Sequence, residues 1–139
     1  MPERTTTHST VVPGMHYRNA TDAIEWLCRV FGFQTHAVYA GPGNTIMHAE
    51  LTLGSGMIML GSVNEKMPER HMKLPAEVGG AQTRGVSLIV KDADAIYARA
   101  RDAGATIVED LENKPYGGRG FACLDPEGHI WHVGTYDPW

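Results

Sequence analysis

The sequence predicts an α+β fold in which two tandem βαβββ modules form a cupped mixed sheet with the helices on its outer face. The first observation is an internal repeat, because Asp22-Ala23-Ile24 returns as Asp94-Ala95-Ile96 in a second helical segment. The second is that each copy reads as a strand, a helix and three strands. The third is size, since 139 residues with 42% hydrophobic content can bury one ordinary core. We therefore predict a single domain over residues 1–139, with module one at about 10–62 and module two at about 85–137.

The first module opens with a strand at residues 10–17 and a helix whose ends are marked by capping residues. Asn19 or Thr21 is the candidate N-cap, and Gly32 supplies the stop. The apolar face of this helix holds Ala20, Ile24, Leu27 and Phe31. Three strands follow at residues 33–40, 46–53 and 57–61, separated by glycine-containing turns.

The second module repeats this order. A strand at residues 85–90 leads to a helix at 93–103, and Gly104 lies just past its end. The remaining strands are predicted at 106–110, 119–124 and 130–135. The last two flank the tetrapeptide Asp125-Pro126-Glu127-Gly128, in which proline suits the second position of a turn and glycine the fourth.

Residues 62–84 connect the modules without a clear hydrophobic period. Connections of this length in a compact domain are either linkers or functional segments, and we weigh a plain connector evenly against a flap over a pocket. Met67 and Met72 favour the flap slightly, because flexible thioethers adapt to apolar ligands. The same methionines could equally cap the edge of the core.

Composition excludes several classes of partner. The net charge is −4 and the basic residues are not clustered, so we expect no nucleic-acid binding. No run approaches the roughly 18 apolar residues that a membrane span requires, and the first ten residues resemble no targeting signal. We therefore expect a cytoplasmic protein. Cys28 and Cys123 are interpreted as small buried hydrophobic residues and not as a redox pair.

Four segments carry a resemblance to a known family. These are VPGMHYRNA at residues 12–20, RVFGF at 29–33, YGGRGF at 116–121 and DPEGHIW at 125–131. Together with the repeat they resemble the glyoxalase/bleomycin resistance/dioxygenase superfamily, the vicinal oxygen chelate fold, over residues 10–137. The chain is most similar to its PhnB-like and uncharacterised glyoxalase-like branch. The resemblance implies paired modules, a small-molecule ligand and a homodimer, which would also cover exposed strand edges.

Metal enzymes of that superfamily hold a divalent ion with side chains from the first and last strands of each module. Matching motif to motif, the four positions fall on Val12, Met59, Gly85 and His132. Both 12/85 and 59/132 are 73 residues apart, so the internal repeat supports the matching. Valine and glycine offer no ligand, and a thioether does not suit hard, oxygen-loving ions. We therefore expect no metal at the usual site, and no other cofactor.

A different metal site remains an alternative. His16, His48, Glu50 and His132 have suitable ligand types, although no short ligand motif supports them. His16 shares strand parity with Val12 and should point the same way. His48 and Glu50 share a face with each other, but the sequence leaves that face open. They could also lie on the solvated side of a half-buried strand.

The candidate ligand-binding residues are His16, Met59, Tyr116, Arg119 and His132. His132 could hydrogen-bond a ligand from a cavity wall or, in an enzyme, act as a general base, and it could also be a satisfied pocket histidine. Tyr116 is a candidate aromatic lining residue. Arg119 could reach an anionic ligand or be an ordinary surface residue.

Two classes of function follow. The first is a metal-independent protein that binds a small hydrophobic or aromatic molecule in a concave cleft, as the bleomycin-resistance branch does. The second is a glyoxalase- or dioxygenase-like lyase or isomerase, with a rearranged metal site or with His132 as its base. The poor ligand set at the usual metal positions favours the first class.

Overall fold

The computed structural model describes residues 8–139, so residues 1–7 of the predicted domain lie outside the described residues. Module one consists of β1 (Gly14–Tyr17), α1 (Ala20–Phe31), β2 (Gln34–Ala40), β3 (Ile46–Leu53) and β4 (Gly56–Ser62). Module two consists of β5 (Val86–Ile89), α2 (Ala93–Asp102), β6 (Thr106–Asn113), β7 (Arg119–Leu124) and β8 (Ile130–Gly134). This order confirms the α+β class and the two βαβββ modules.

Each module has its own four-stranded mixed sheet, and the two sheets have equivalent topology. The strand orders are β1-β4-β3-β2 and β5-β8-β7-β6. In each sheet the first strand pairs parallel with the last, and the other pairs are antiparallel. One face of each sheet packs against the helix of its module. We call the opposite face of each sheet its open face.

The helix limits follow the capping residues. Asn19 is the N-cap of α1, because its side chain accepts a hydrogen bond from the backbone N–H of Asp22. Asp92 has the same role in α2 and accepts from Ala95 N–H. Gly32 ends α1 with a φ of +89°, a conformation that glycine adopts without a steric penalty.

Most strand ends agree with the predictions to within one residue, but β1 and β6 differ by three or four residues at one end. β1 begins at Gly14, four residues later than predicted, because the ladder with β4 begins at that residue. Pro13, just before it, has no N–H to donate, although its carbonyl accepts from Met59 N–H at 2.9 Å. β6 extends three residues beyond its predicted end, since Glu112 and Asn113 still pair with β7. Strand ends depend on a partner strand that local sequence does not reveal.

One hydrophobic core joins the two modules. Trp131 of β8 is fully buried, and its ring lies 5.3 Å from the ring of Phe31 and 6.0 Å from that of Phe33. The helices are also in contact, and Arg99 of α2 donates a hydrogen bond to the carbonyl of Val30. The aromatic side chains at the end of the first helix are therefore packed by the last strand of the second module.

Asp125 is the polar centre of this junction and is only 4% exposed. Its carboxylate accepts hydrogen bonds from the Tyr17 hydroxyl and from the indole N–H of Trp131 at 3.0 Å. It also accepts from the backbone N–H groups of Glu127 and His129. Burial and the neighbouring Asp125 raise the pKa of Tyr17 well above its ordinary value, so the phenol remains a donor.

The neighbouring Glu127 extends the junction to the start of the first helix. Its carboxylate accepts from the backbone N–H groups of Arg18 and Asn19, at 2.6 and 2.8 Å. The Asp-Pro-Glu-Gly turn of module two therefore supplies acceptors to the β1–α1 connection of module one. The turn is formed by consecutive residues, but the side chain of Glu127 bonds to residues more than 100 positions earlier in the chain.

The connecting segment 62–84 packs on the β7–β8 turn. Gln82 donates to the carbonyl of Gly128 at 2.7 Å and accepts from Ile130 N–H at 2.8 Å. Met67 and Leu74 are buried, at 5% and 4% exposure, while Met72 is half-buried. Short 3₁₀ turns at Pro68–Arg70 and Pro75–Val78 give the segment its local structure.

Cys123 lies in the core and Cys28 is half-buried, and neither forms a disulfide. Burial raises the pKa of the Cys123 thiol to about 12, which keeps it protonated at neutral pH. Among residues 8–139 no helix has both the length and the apolar content needed to cross a membrane.

Candidate functional site

A cavity of about 330 Å³ lies on the open face of module two. Its wall combines aromatic, aliphatic, polar and charged groups. The wall includes Ser87, Ile89, Glu109, Lys114, Tyr116, Arg119, His132 and Tyr136. Three of the five predicted ligand-binding residues, Tyr116, Arg119 and His132, are therefore together in one wall.

The floor of the cavity is formed by neighbouring strands with few side chains. Gly120 of β7 lies opposite Gly134 of β8, and Ser87 of β5 lies opposite His132. A Cβ added to Gly120 would lie 2.6 Å from the carbonyl oxygen of Val133, so the two backbones leave no room for one. Because neither glycine has a side chain, the space above this part of the sheet stays open.

The rim is formed where the β6–β7 turn meets the segment after β8. Gly118 has a φ of +74°, and a Cβ there would lie 2.6 Å from the backbone nitrogen of Tyr136. This close approach brings the rings of Tyr116 and Tyr136 to a centroid distance of 5.0 Å in an edge-to-face arrangement. The tyrosines remain 64% and 43% exposed, so much of their aromatic surface is uncovered.

His132 is half-buried in the cavity wall, next to the backbone of Gly85. A Cβ added to Gly85 would lie 3.3 Å from Cδ2 and 3.5 Å from Nε2 of the imidazole. Within residues 8–139 the imidazole has no hydrogen-bond partner of its own. It can therefore donate to or accept from a molecule that enters the cavity.

Both basic residues of the wall are held by carboxylates. Lys114 Nζ lies 3.1 Å from Oε1 of Glu109 and 3.1 Å from Oε1 of Glu112. Arg119 Nε lies 2.9 Å from Oδ1 of Asp94 on α2. Arg119, which the sequence suggested as a partner for an anionic ligand, therefore already pairs with a carboxylate of the protein.

His16 and Met59, the other two predicted ligand-binding residues, lie in module one and do not line this cavity. Nδ1 of His16 is buried and has no hydrogen-bond partner among the described residues. Burial lowers the pKa of this imidazole, and the nearby Arg70 and His129 lower it further. The ligand-binding roles of His16 and Met59 stay predictions.

The register settles which face carries His48 and Glu50. Ala49 and Leu51 are fully buried in the core, so the alternating residues His48 and Glu50 point to the open face of module one. Glu50 pairs with Met59 in the ladder. Nε2 of His48 and Oε2 of Glu50 are 2.9 Å apart, and Nε2 of His36 lies 3.9 Å from Oε1 of the same carboxylate.

The alternative metal set is not assembled in the chain. His48 and Glu50 interact in the sheet of module one, whereas His132 belongs to the sheet of module two. In the part of the chain that the structure describes, no group of three or more His, Cys, Asp or Glu side chains could hold a metal ion.

The usual metal positions also fail on donor chemistry. Met59 pairs with Gly14 in the ladder and its N–H bonds to the carbonyl of Pro13, the residue after Val12, whereas Gly85 lies against His132. The two registers are equivalent, as the repeat predicts, but Val12 and Gly85 have no donor atom in their side chains. A thioether and one imidazole do not fit a hard divalent ion.

Sequence reasoning missed several residues of the wall, including Ile89, Glu109, Lys114 and Tyr136. Ser87 and Ile89 could have been found, because they lie two and four residues after the matched position Gly85 and therefore share its face of the strand. Tyr136 gave no comparable signal, since it follows the last strand and reaches the cavity only through the packing of Gly118.

Comparisons with known proteins agree on the fold. An uncharacterised protein of Mycobacterium tuberculosis, Rv0887c, is 31% identical over 122 residues, which cover 88% of this chain and 71% of the relative. The crystal structure of TioX from Micromonospora sp. ML1 superposes with a TM-score of 0.70 at 33% identity, covering 94% of this chain and 98% of TioX.

More distant structures share the architecture. The fosfomycin resistance protein FosX from Listeria monocytogenes has a TM-score of 0.68 at 8% identity, covering 96% of this chain and 97% of FosX, which shows the fold alone. The family model of the Glyoxalase/Bleomycin resistance protein/Dioxygenase superfamily matches residues 14–133. This match includes both modules and their connection. The chain therefore belongs to the glyoxalase/bleomycin resistance protein/dioxygenase superfamily.

Proposed function

We propose that this protein binds a small hydrophobic or aromatic molecule in the cavity of module two, without the usual divalent metal. The observation that carries the proposal is the cavity itself. Its volume of about 330 Å³ lies within the range of small-molecule sites, roughly 300–1,000 Å³. Its wall combines exposed aromatic surface with an imidazole that has no hydrogen-bond partner among the described residues, the combination of apolar area and a few polar groups that such sites use.

His132→Ala is expected to weaken binding by about 1–3 kcal/mol without unfolding the protein, because a polar group of the ligand would lose its partner inside an apolar site. A thermal-shift screen of small aromatic compounds would supply hits, and titration calorimetry would compare wild type and variant. His36→Ala is the matched control, since His36 is exposed in module one and lies outside the cavity wall. Equal affinity of wild type and His132→Ala for a compound shown to occupy the cavity would refute the role of His132.

We also propose that the protein is a homodimer. The outer strands β2 and β6 each leave one edge unpaired, and most of β2 is exposed. The open faces of both sheets likewise expose side chains such as Tyr39 and Ile89. Light scattering at micromolar concentration should give twice the mass of the 15.2 kDa chain. A monomer across that concentration range would refute the dimer.

A second candidate function is a glyoxalase- or dioxygenase-like lyase or isomerase. One observation favours it, namely that His132 lines the cavity without a partner in the part of the chain that the structure describes and could accept a proton from a substrate. Elemental analysis after dialysis separates the two functions. About one equivalent of a bound divalent metal would favour an enzyme with a rearranged site, whereas a metal-free protein that binds aromatic compounds would favour the binding function.

A further inference from the structure

The charged groups around the cavity determine which ligands it can accept. Lys114 is held between two carboxylates, and its side chain is only 14% exposed. Hydrogen bonds from its ammonium group to Glu109 and Glu112 raise its pKa, so it keeps its charge and both partners. Two of the three N–H donors of this ammonium group are thus used, and an anionic ligand would have to share it with both carboxylates.

Arg119 is similarly occupied. Its Nε and one terminal nitrogen contact the two carboxylate oxygens of Asp94, at 2.9 and 3.4 Å. The other terminal nitrogen is directed to the side-chain oxygen of Asn113 at 3.4 Å. Three of the five N–H donors of the guanidinium, including the side-on pair that binds Asp94, are thus already used.

The net charge of the groups around the cavity also disfavours an anionic ligand. Two cations, Lys114 and Arg119, face three carboxylates, those of Asp94, Glu109 and Glu112. Only Glu109, Lys114 and Arg119 of these five groups line the cavity itself, but together with their partners Asp94 and Glu112 they carry a formal excess of one negative charge. The wall also offers uncovered aromatic surface, because Tyr116 and Tyr136 contact each other edge to face and remain 64% and 43% exposed.

We infer that the cavity selects planar aromatic molecules that carry no net negative charge. This inference rests on the proposed function and names the chemical class of its ligand. Aromatic surface on the ligand stacks against the exposed tyrosine rings, and a positive group gains further from their π faces and from the excess carboxylate. An anion meets that excess and would have to share Lys114 and Arg119 with the carboxylates that already bind them.

A matched series of naphthalene compounds tests the inference. 2-Naphthamide, 2-naphthylmethylammonium and 2-naphthoate share one ring system and differ in charge. Titrations at low salt, followed by ¹H–¹⁵N chemical shifts of Ser87, Gly120 and His132, locate and quantify binding. We expect the amide and the ammonium compound to bind at least about 10-fold more tightly than the naphthoate.

Removing the carboxylates should reverse this preference. The double variant Glu109→Gln with Glu112→Gln frees Lys114, so naphthoate should bind roughly 5- to 10-fold more tightly and the ammonium compound more weakly. Glu65→Gln with Glu69→Gln is the control, because it makes the same change in net charge at exposed residues outside the cavity wall. The control should leave all three affinities unchanged.

The outcomes separate the inference from the function on which it rests. If naphthoate binds in the cavity of the wild type as tightly as the other two compounds, the charge selection is wrong while the binding function stands. If none of the three compounds shifts the cavity resonances, the proposed function and the inference both fail. An equal gain in naphthoate affinity in the control variant would assign the effect to net charge and overturn the role of Lys114.

Discussion

Asp125→Ala is expected to lower the free energy of unfolding by about 3–5 kcal/mol, the range for removing one partner from a buried charged network. Asp125 is almost fully buried and accepts four hydrogen bonds, two of them from the side chains of Tyr17 and Trp131. Without the carboxylate, the phenol and the indole N–H would remain buried and unpaired. Urea unfolding monitored by circular dichroism would measure the loss as a lower midpoint at an unchanged slope.

Two further variants make the result specific. Asp102→Ala changes an exposed aspartate at the end of α2 and should alter stability by less than about 0.5 kcal/mol. Tyr17→Phe removes a single donor and leaves the other three bonds to Asp125, so it should cost about 1–2 kcal/mol. If Asp125→Ala were as stable as Asp102→Ala, the carboxylate would not be the polar centre of the junction.

Trp131→Ala is expected to cost about 3–5 kcal/mol, as large-to-small changes of buried aromatic residues do. Its fully buried ring contacts Phe31 and Phe33 of module one, and its N–H bonds Asp125. The cavity left by the change would lie between the modules, so both should lose stability together in one transition. Thermal unfolding followed by far-ultraviolet circular dichroism would show a single transition at lower temperature.

Trp139→Ala is the control for the loss of a tryptophan, because Trp139 is fully exposed. It should unfold at the temperature of the wild type. Trp131→Phe keeps an aromatic ring in the junction but removes the bond to Asp125, so its cost should be smaller than that of Trp131→Ala. Two separate transitions in Trp131→Phe would contradict the single core that joins the modules.

Two neighbouring residues of β8 have different roles, one in packing the core and one in the proposed binding site. Trp131 points into the core, and His132 points into the cavity, because side chains alternate along a strand. The rigidity of the junction therefore fixes the position of the imidazole in the cavity wall. Substitution of Trp131 tests how the modules pack, whereas substitution of His132 tests ligand binding.

Local sequence was sufficient for the elements and their order. Hydrophobic spacing, the caps Asn19 and Gly32 and the repeat predicted both modules, because these signals act between residues close in sequence. The repeat also matched Gly85 with Val12 and His132 with Met59, and the equivalent registers of the two sheets agree with that matching. The alternation of side chains along a strand is also sufficient to place Trp131 and His132 on opposite faces of β8.

Tertiary structure decided how the modules meet and where the cavity lies. The bonds from Asp125 to Tyr17 and from Glu127 to Arg18 join residues over 100 positions apart, and no local pattern encodes such pairs. The pairing of Arg119 with Asp94 likewise depends on how α2 packs beside β7. Tyr136 reaches the cavity only because Gly118 allows two backbones to approach closely. Secondary structure follows from neighbours in the chain, whereas the ligand wall and its charge balance follow from which distant side chains the folded core brings together.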